Sequence, residues 1–321
     1  MARHYDLMSI CLDKVFRLLR WSGHHASRKE QRVSETVRRV VAARVRDPEA
    51  IAVAAATRVR AKSPFNDKGR TMIIAADHPA RGANSVGSDP LAMADRGELL
   101  DRLGLALERP GVTGVLATPD IIDDLLLLGA LEGKTVIGSM NRTGLAGSSF
   151  EIDDRFACYD AETIERMRFD GGKTLTRICL TDPATPSVLE NTANAINGLA
   201  DRKLIAMVEP FVADWVDGRL RNDLSPEAVI RSITIASALG RSSAYTWLKL
   251  PVVKDMERVL AASTLPAVLL GGEVKDPDAA FAAWQRALAL PTVQGLVVGR
   301  SLLYPRDGDV AKAVDTAVGL L

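Results

Sequence analysis

From Thr71 onward, short runs of β-branched and aliphatic residues alternate with longer stretches of helical periodicity, and few folds accommodate that pattern. Eight runs read as strands: 71–76, 114–117, 135–139, 174–180, 204–208, 245–250, 267–270 and 295–298. Helical patterns lie between them at 98–108, 121–131, 186–199, 226–239, 254–262 and 278–288, with a closing helix at 310–321. Strand–helix alternation with right-handed crossovers builds a parallel sheet, and eight repeats in about 250 residues suit a closed (β/α)8 TIM barrel. The rival is an open, doubly wound sheet. A dinucleotide-binding version of that fold needs a G-x-G-x-x-G turn after the first strand, where this chain has Asp77-His78-Pro79-Ala80-Arg81-Gly82. The third crossover, from Met140 to Gly172, is the longest and is expected to carry a loop over the active face.

Ahead of the barrel, residues 1–66 read as a basic helical arm, which leaves 67–321 for the barrel itself. Leu7, Met8, Cys11, Leu12, Val15, Leu18 and Leu19 fit one face of a helix over 5–20, and Gly23-His24-His25 breaks it. A second helix is expected from near Ser34 to about Arg46. A third should follow Asp47-Pro48-Glu49, with Asp47 capping and Pro48 in the first turn, and end before Ser63-Pro64. Residues 1–70 hold sixteen Lys and Arg against seven Asp and Glu, a net of +9, while 71–321 carry a net of −8. The arm contains no nucleic-acid motif, so opposite charge favours its packing on the barrel or on a neighbouring subunit; a homo-oligomer is expected, with no nucleic-acid partner.

Several classes are excluded. With 47% hydrophobic and 25% charged residues and no long uncharged apolar run, neither a membrane span nor a membrane partner is expected. Cys11, Cys158 and Cys179 form no C-x-x-C pair and the four histidines no H-x-x-x-H pair, so no zinc site, disulfide framework or cofactor is expected. No signal-peptide pattern opens the chain, which places it by default in the cytoplasm.

In a barrel the chemistry gathers in the loops that follow the strands. That rule collects Asp77 after the first strand, Lys173 at the opening of the fourth, Glu209 at the end of the fifth and Lys249 late on the sixth. It adds Gly271-Gly272-Glu273 after the seventh and Gly299-Arg300 after the eighth. Lys249 sits inside the apolar and aromatic stretch Tyr245-Thr246-Trp247-Leu248-Lys249-Leu250. Burial disfavours the ammonium form, so its pKa falls toward neutrality, and a neutral amine can add to a carbonyl to form a Schiff base. The competing reading is a lysine with a buried stem whose head reaches water at the strand end. Tyr245 and Trp247 share the parity of Lys249 and are expected in the core. A Schiff-base aldolase needs such an amine, a second cation to keep it neutral, carboxylates to move protons, and backbone amides to hold a phosphate. A strand boundary displaced by a few residues would bring Arg177 to the ligand in place of Lys173.

Val208-Glu209-Pro210, Trp247-Leu248-Lys249-Leu250-Pro251, the Gly271-Gly272 turn and Val297-Val298-Gly299-Arg300 resemble, in order and spacing, the class I aldolase barrels of the tagatose-bisphosphate and deoxyribose-phosphate aldolase superfamily. The resemblance spans roughly residues 70–305 and is closest to the tagatose-1,6-bisphosphate aldolase type; Asp77-His78 is also similar to archaeal-type class I fructose-bisphosphate aldolases. It implies Lys249 as Schiff-base former, Lys173 and Glu209 as its neighbours, and Asp77 as a polar catalytic group. Arg300 and the amides of Gly271, Gly272 and Gly299 would hold a substrate phosphate. The implied activity is metal-independent cleavage or formation of a carbon–carbon bond in a phosphorylated sugar. The same machinery serves 5-dehydro-2-deoxy-phosphogluconate and deoxyribose 5-phosphate, and a barrel that binds a sugar phosphate without catalysis is the non-enzyme alternative. Two departures stand out. The arm has no counterpart in a minimal barrel, and Lys173 opens its strand where the family pattern has the residue nearer the strand end.

Overall fold

All eight aliphatic runs form strands, and the strands close on themselves. The computed structural model describes residues 34–272 and 277–321. The expected helix over 5–20, the His24-His25 loop and Glu273 lie outside the described residues. The strands are β1 (Thr71–Ala75), β2 (Gly114–Ala117), β3 (Thr135–Ser139), β4 (Gly171–Ile178), β5 (Ile205–Val216), β6 (Arg219–Asn222), β7 (Thr246–Leu250), β8 (Ala267–Leu270) and β9 (Val293–Val298). All but β6 run parallel in sequence order, and β1 pairs with β9, Ile73 opposite Val297, to complete an eight-stranded (β/α)8 barrel. Helices α1 (Glu35–Arg46) and α2 (Ala50–Thr57) precede it, and α3 (Arg96–Glu108), α4 (Pro119–Leu127), α5 (Ala161–Arg166), α6 (Thr185–Asp201), α7 (Pro226–Ser237), α8 (Met256–Leu260), α9 (Pro277–Leu288), α10 (Arg300–Leu303) and α11 (Val310–Gly319) follow. No helix among the described residues is long and apolar enough to cross a membrane.

Period-2 alternation sorts the strand residues into two cores. Ile73, Ala75, Leu116, Ile137, Met207, Val268 and Val297 fill the barrel interior. Met72, Ile74, Val115 and Val136 point outward and pack with helix residues such as Leu103, Ile121 and Leu125. Each such fully buried aliphatic side chain contributes about 1.5–3 kcal/mol of transfer free energy. Trp247 packs on the interior layer and stacks on Phe65, ring centroids 5.5 Å apart, so the segment ahead of β1 covers this end of the interior.

Two strand boundaries differ from expectation by three residues or more. β4 starts three residues before the expected Thr174, because Gly171 and Gly172 are strand residues and not a turn. A Cβ on Gly171 would stand 2.4 Å from the Ile205 carbonyl oxygen, so glycine there lets β4 approach β5. β5 runs past the expected Val208 to Val216 and turns through Asp217-Gly218, both at positive φ, into antiparallel β6. An Asp-Gly pair between extended segments is a strong hairpin signal.

Ser34 Oγ accepts the Val37 N–H and caps α1 where a start was expected. Asp47 closes α1 and does not cap α2, whose N-cap position falls to Glu49. α2 ends at Thr57, well short of Ser63, because tertiary hydrogen bonds claim the backbone that follows. Val59 N–H donates to Glu132, and the Gly133 N–H donates to the Val59 carbonyl. α1 packs with α3 and α4 and α2 packs with α4, and residues 34–321 form one compact unit. Arg44 reaches Asp124 at 2.7 Å and Arg60 reaches Asp170 at 2.9 Å, basic residues of the arm on acidic residues of the barrel.

Candidate active site

At the end of the barrel where the strands finish, a cavity of about 620 Å³ opens. Asp77, Lys173, Glu209, Lys249, Gly271, Gly272, Gly299 and Arg300 all line it, although they come from six different strands or the loops after them. Lys173, Leu175 and Arg177 alternate along β4 and face inward together, so the choice between Lys173 and Arg177 dissolves: both line the cavity. Lys173 sits early on its strand yet lies level with Ser139, the last residue of β3, because β4 projects beyond its neighbour.

The cavity floor is a chain of buried charges. Lys249 Nζ donates to Glu209 Oε1 at 2.9 Å, and Lys173 Nζ contacts the other oxygen of the same carboxylate. Lys173 Nζ also donates to Asp77 Oδ2 at 3.2 Å, the oxygen that accepts from Ser139 Oγ at 3.4 Å and contacts the Arg142 guanidinium. Lys173, Lys249 and Asp77 are each at most 3% exposed. His78 lines the cavity beside them, its Nδ1 3.7 Å from Asp77 Oδ1 and without a hydrogen-bond partner.

Burial dominates the electrostatics. It pulls Lys249 below the ordinary lysine value; Glu209 opposes this, and the positive charges of Arg142 and Arg300 reinforce it. Lys173 falls further, through burial first and then Arg142, with Glu209 again opposing and Lys249 adding repulsion. Burial alone would raise Glu209, but the two lysines outweigh it and hold the carboxyl well below its usual range. Burial, helped by Arg300 and Lys249, keeps His78 well below the ordinary imidazole value, so it is neutral at physiological pH.

A second ionic cluster stands on the wall. Glu151 Oε1 bridges Arg177 at 2.6 Å and Arg81 at 2.8 Å, and burial together with Arg81 brings Arg177 down to about 10. Glu151 and Arg142 both belong to the long β3–α5 connection, which covers the active face as expected. Phe211 on β5 and Leu220 and Asn222 on β6 complete that side. Sequence reasoning left out Arg142, Glu151 and the β5–β6 hairpin, though Arg142 stands just past the end of β3, where the strand-end rule looks. On the opposite side Gly299 is required, since a Cβ would lie 2.2 Å from the Ala75 carbonyl oxygen where β9 passes β1. Gly272 adopts a left-handed φ of 59°.

The fold is that of a group of aldolase structures. An archaeal fructose-1,6-bisphosphate aldolase, whose catalytic lysine is covalently bound to the carbinolamine intermediate of the substrate, superposes with a TM-score of 0.58 at 19% identity, over 80% of this chain and 95% of that one. A fructose-bisphosphate aldolase from Slackia heliotrinireducens superposes with a TM-score of 0.56 at 13% identity, over 92% and 96%. At these identities the likeness is one of fold. Much nearer is the crystal structure of Cgl0159 from Corynebacterium glutamicum (Brevibacterium flavum), with a TM-score of 0.87 at 52% identity over 89% of this chain and 96% of that one. A family profile described as Cgl0159-like matches residues 69–318, and the chain belongs to that family. No curated protein matches the sequence.

Proposed function

We propose that the protein is a metal-independent class I aldolase that cleaves, or reversibly forms, a carbon–carbon bond in a phosphorylated sugar through an imine on Lys249. The observation that carries this reading is the Lys249 amine itself, buried at the cavity floor, bonded to Glu209 and held below the ordinary lysine range. A neutral Nζ adds to a ketone carbonyl, and the carbinolamine loses water to give the iminium. Removal of a hydroxyl proton then breaks the adjacent carbon–carbon bond, releasing an aldehyde and leaving an enamine that is protonated and hydrolysed. Glu209, in reach of both lysines, is the group that moves protons, and Asp77 is the polar partner beside it. Backbone amides at Gly271, Gly272 and Gly299, with the Arg300 guanidinium, serve the phosphate. The fold shared with an aldolase whose lysine carries a carbinolamine supports the reading. Tagatose or fructose bisphosphate is the first substrate to try.

The test is reductive trapping. Borohydride added with dihydroxyacetone phosphate or a ketose bisphosphate should leave the carbon skeleton on Lys249, in the presence or absence of chelator. Lys249→Arg keeps the charge but cannot form the imine, so it should abolish trapping and turnover. An adduct elsewhere, or full activity in that variant, would sink the assignment.

A further inference from the structure

The buried floor holds three basic side chains, Lys173, Lys249 and Arg142, and two carboxylates, Asp77 and Glu209, linked in one chain of contacts. Arg142 is only 6% exposed, its guanidinium contacts Asp77, and its Nε has no hydrogen-bond partner. A guanidinium does not give up its proton in a protein, whereas a lysine ammonium does so readily when buried. An isolated surplus charge in a buried site is strongly disfavoured, so a group that can neutralise will do so.

We propose that Arg142 is a positioning residue that sets the protonation of the two lysines: by neutralising Asp77 it leaves Lys173 and Lys249 only Glu209 to share, so the cluster is balanced with one lysine as the free amine. The proton that remains is shared across Glu209, which touches both Nζ atoms. Arrival of a carbonyl substrate at Lys249 then needs no proton release to solvent, because Lys173 can hold the proton. This role in turnover rests on the imine reading; the charge balance does not.

The groups that face the lysines from each surrounding element agree with this count. β1 brings Asp77 and, just beyond it, a neutral His78; the β3–α5 connection brings Arg142; β4 and β5 bring Lys173 and Glu209; the β5–β6 hairpin brings only Asn222 and apolar residues. The described part of the loop after β8 offers Gly271 and Gly272, and the end of β9 offers Arg300, a second permanent cation that adds to the effect on Lys249. The next acids are Glu151, engaged by Arg81 and Arg177, and the buried Asp154, whose charge acts on both Arg142 and Arg177; these two carboxylates balance Arg81 and Arg177, which leaves the count on the floor unchanged.

The test follows the reactivity of the Lys249 amine against pH, by trace acetylation with acetic anhydride and peptide-resolved mass spectrometry, so it needs no turnover. Arg142→Met should raise the half-reaction pH of Lys249 by about one unit or more, since removing a nearby cation lets the lysine keep its proton. The pair Asp77→Asn with Arg142→Met removes one charge of each sign, restores the parity and should return the value toward that of the unaltered protein. Arg142→Lys, the variant to use if Met fails to fold, introduces a side chain that can itself lose the proton, so it too should raise the value. An unmoved Lys249 value in these single variants overturns the proposal, as does a double variant shifted as far as Arg142→Met. Absence of borohydride trapping with the predicted acetylation shifts would instead overturn the aldolase reading and leave the charge balance standing.

Discussion

Glu209→Gln tests the centre of the site, because it removes the one negative charge that Lys173 and Lys249 share while keeping the shape of the side chain. Glu209 raises both lysine pKa values against the pull of burial, so its loss must lower them further. An opposite charge at hydrogen-bond range shifts a pKa by about 1–3 units, and a unit is about 1.4 kcal/mol, so the ammonium of Lys249 loses about 1.4–4 kcal/mol of support. The amine is then free at lower pH, and the acidic limb of kcat/KM moves down by about 1–3 units. The ceiling moves as well. Glutamine cannot carry a proton, and loss of a general acid–base group lowers kcat by about 10²–10⁴-fold. Glu209 is held ionised while both lysines surround it. Once one of them becomes neutral that hold weakens, which lets the carboxyl take a proton when one has to move. The assay is a kcat/KM profile against pH, with the pH dependence of borohydride inactivation measured in parallel. A limb that moves upward, or a kcat that stays within a few-fold of the unaltered enzyme, would refute the reasoning.

Lys173→Met should move the acidic limb upward, because it leaves two cations and two carboxylates on the floor and Lys249 keeps its proton; an unmoved limb would make Lys173 a structural residue. Arg300→Ala should raise KM for a phosphorylated substrate far more than for its unphosphorylated analogue, and equal effects would take Arg300 out of the phosphate site. Stability should depend on pH with a definite sign. Both lysine pKa values are depressed in the folded chain, so the unfolded chain binds more protons between the folded values and the ordinary value of 10.5, and stability rises with pH across that window. Urea midpoints should climb as pH approaches 10.5 from below for the unaltered protein and climb less for Lys173→Met; parallel slopes would contradict the depressed value at Lys173.

The barrel was legible because its evidence is repeated. Each strand from β1 to β9, apart from β6, grows from a short run of β-branched and aliphatic residues, and helical periodicity fills every gap but the long third crossover, whose short α5 was not expected. The residues that line the cavity were legible by position: Asp77, Lys249 and Arg300 stand at or just past the ends of parallel strands, and Glu209 lies just past the last pairing of β5 with β7. What escaped has physical causes. Gly171-Gly172 looks like a turn by propensity, yet Ile205 against Gly171, and Met140, Ile164 and Leu199 against Gly172, make glycine the residue that fits that strand. The extended part of β5 is stabilised by pairing with β6, a partner that single-strand periodicity does not register, although Asp217-Gly218 marks the turn.

Arg142 is the harder case, because a residue in a long connection has no periodicity to place it. Its position is fixed by Asn141, whose side chain donates to the Leu175 carbonyl at 2.7 Å and accepts the Leu175 N–H at 2.8 Å, as a neighbouring strand would. Both groups are buried, and leaving either unpaired costs about 1–3 kcal/mol, so the start of the connection is tied firmly to β4. Arg142 is therefore delivered against Asp77 and Lys173 by a side chain that imitates a strand beyond the end of β3. Farther along, Glu151 ties the same connection to Arg177 on β4, Arg81 bonds both the Gly144 carbonyl and Glu151, and Asp154 braces the connection internally through the Gly144 N–H. A loop held in this way can carry a charge whose effect depends on its place. A guanidinium free to swing into water would leave Asp77 to Lys173, and with two lysines facing two carboxylates neither amine would have cause to be neutral.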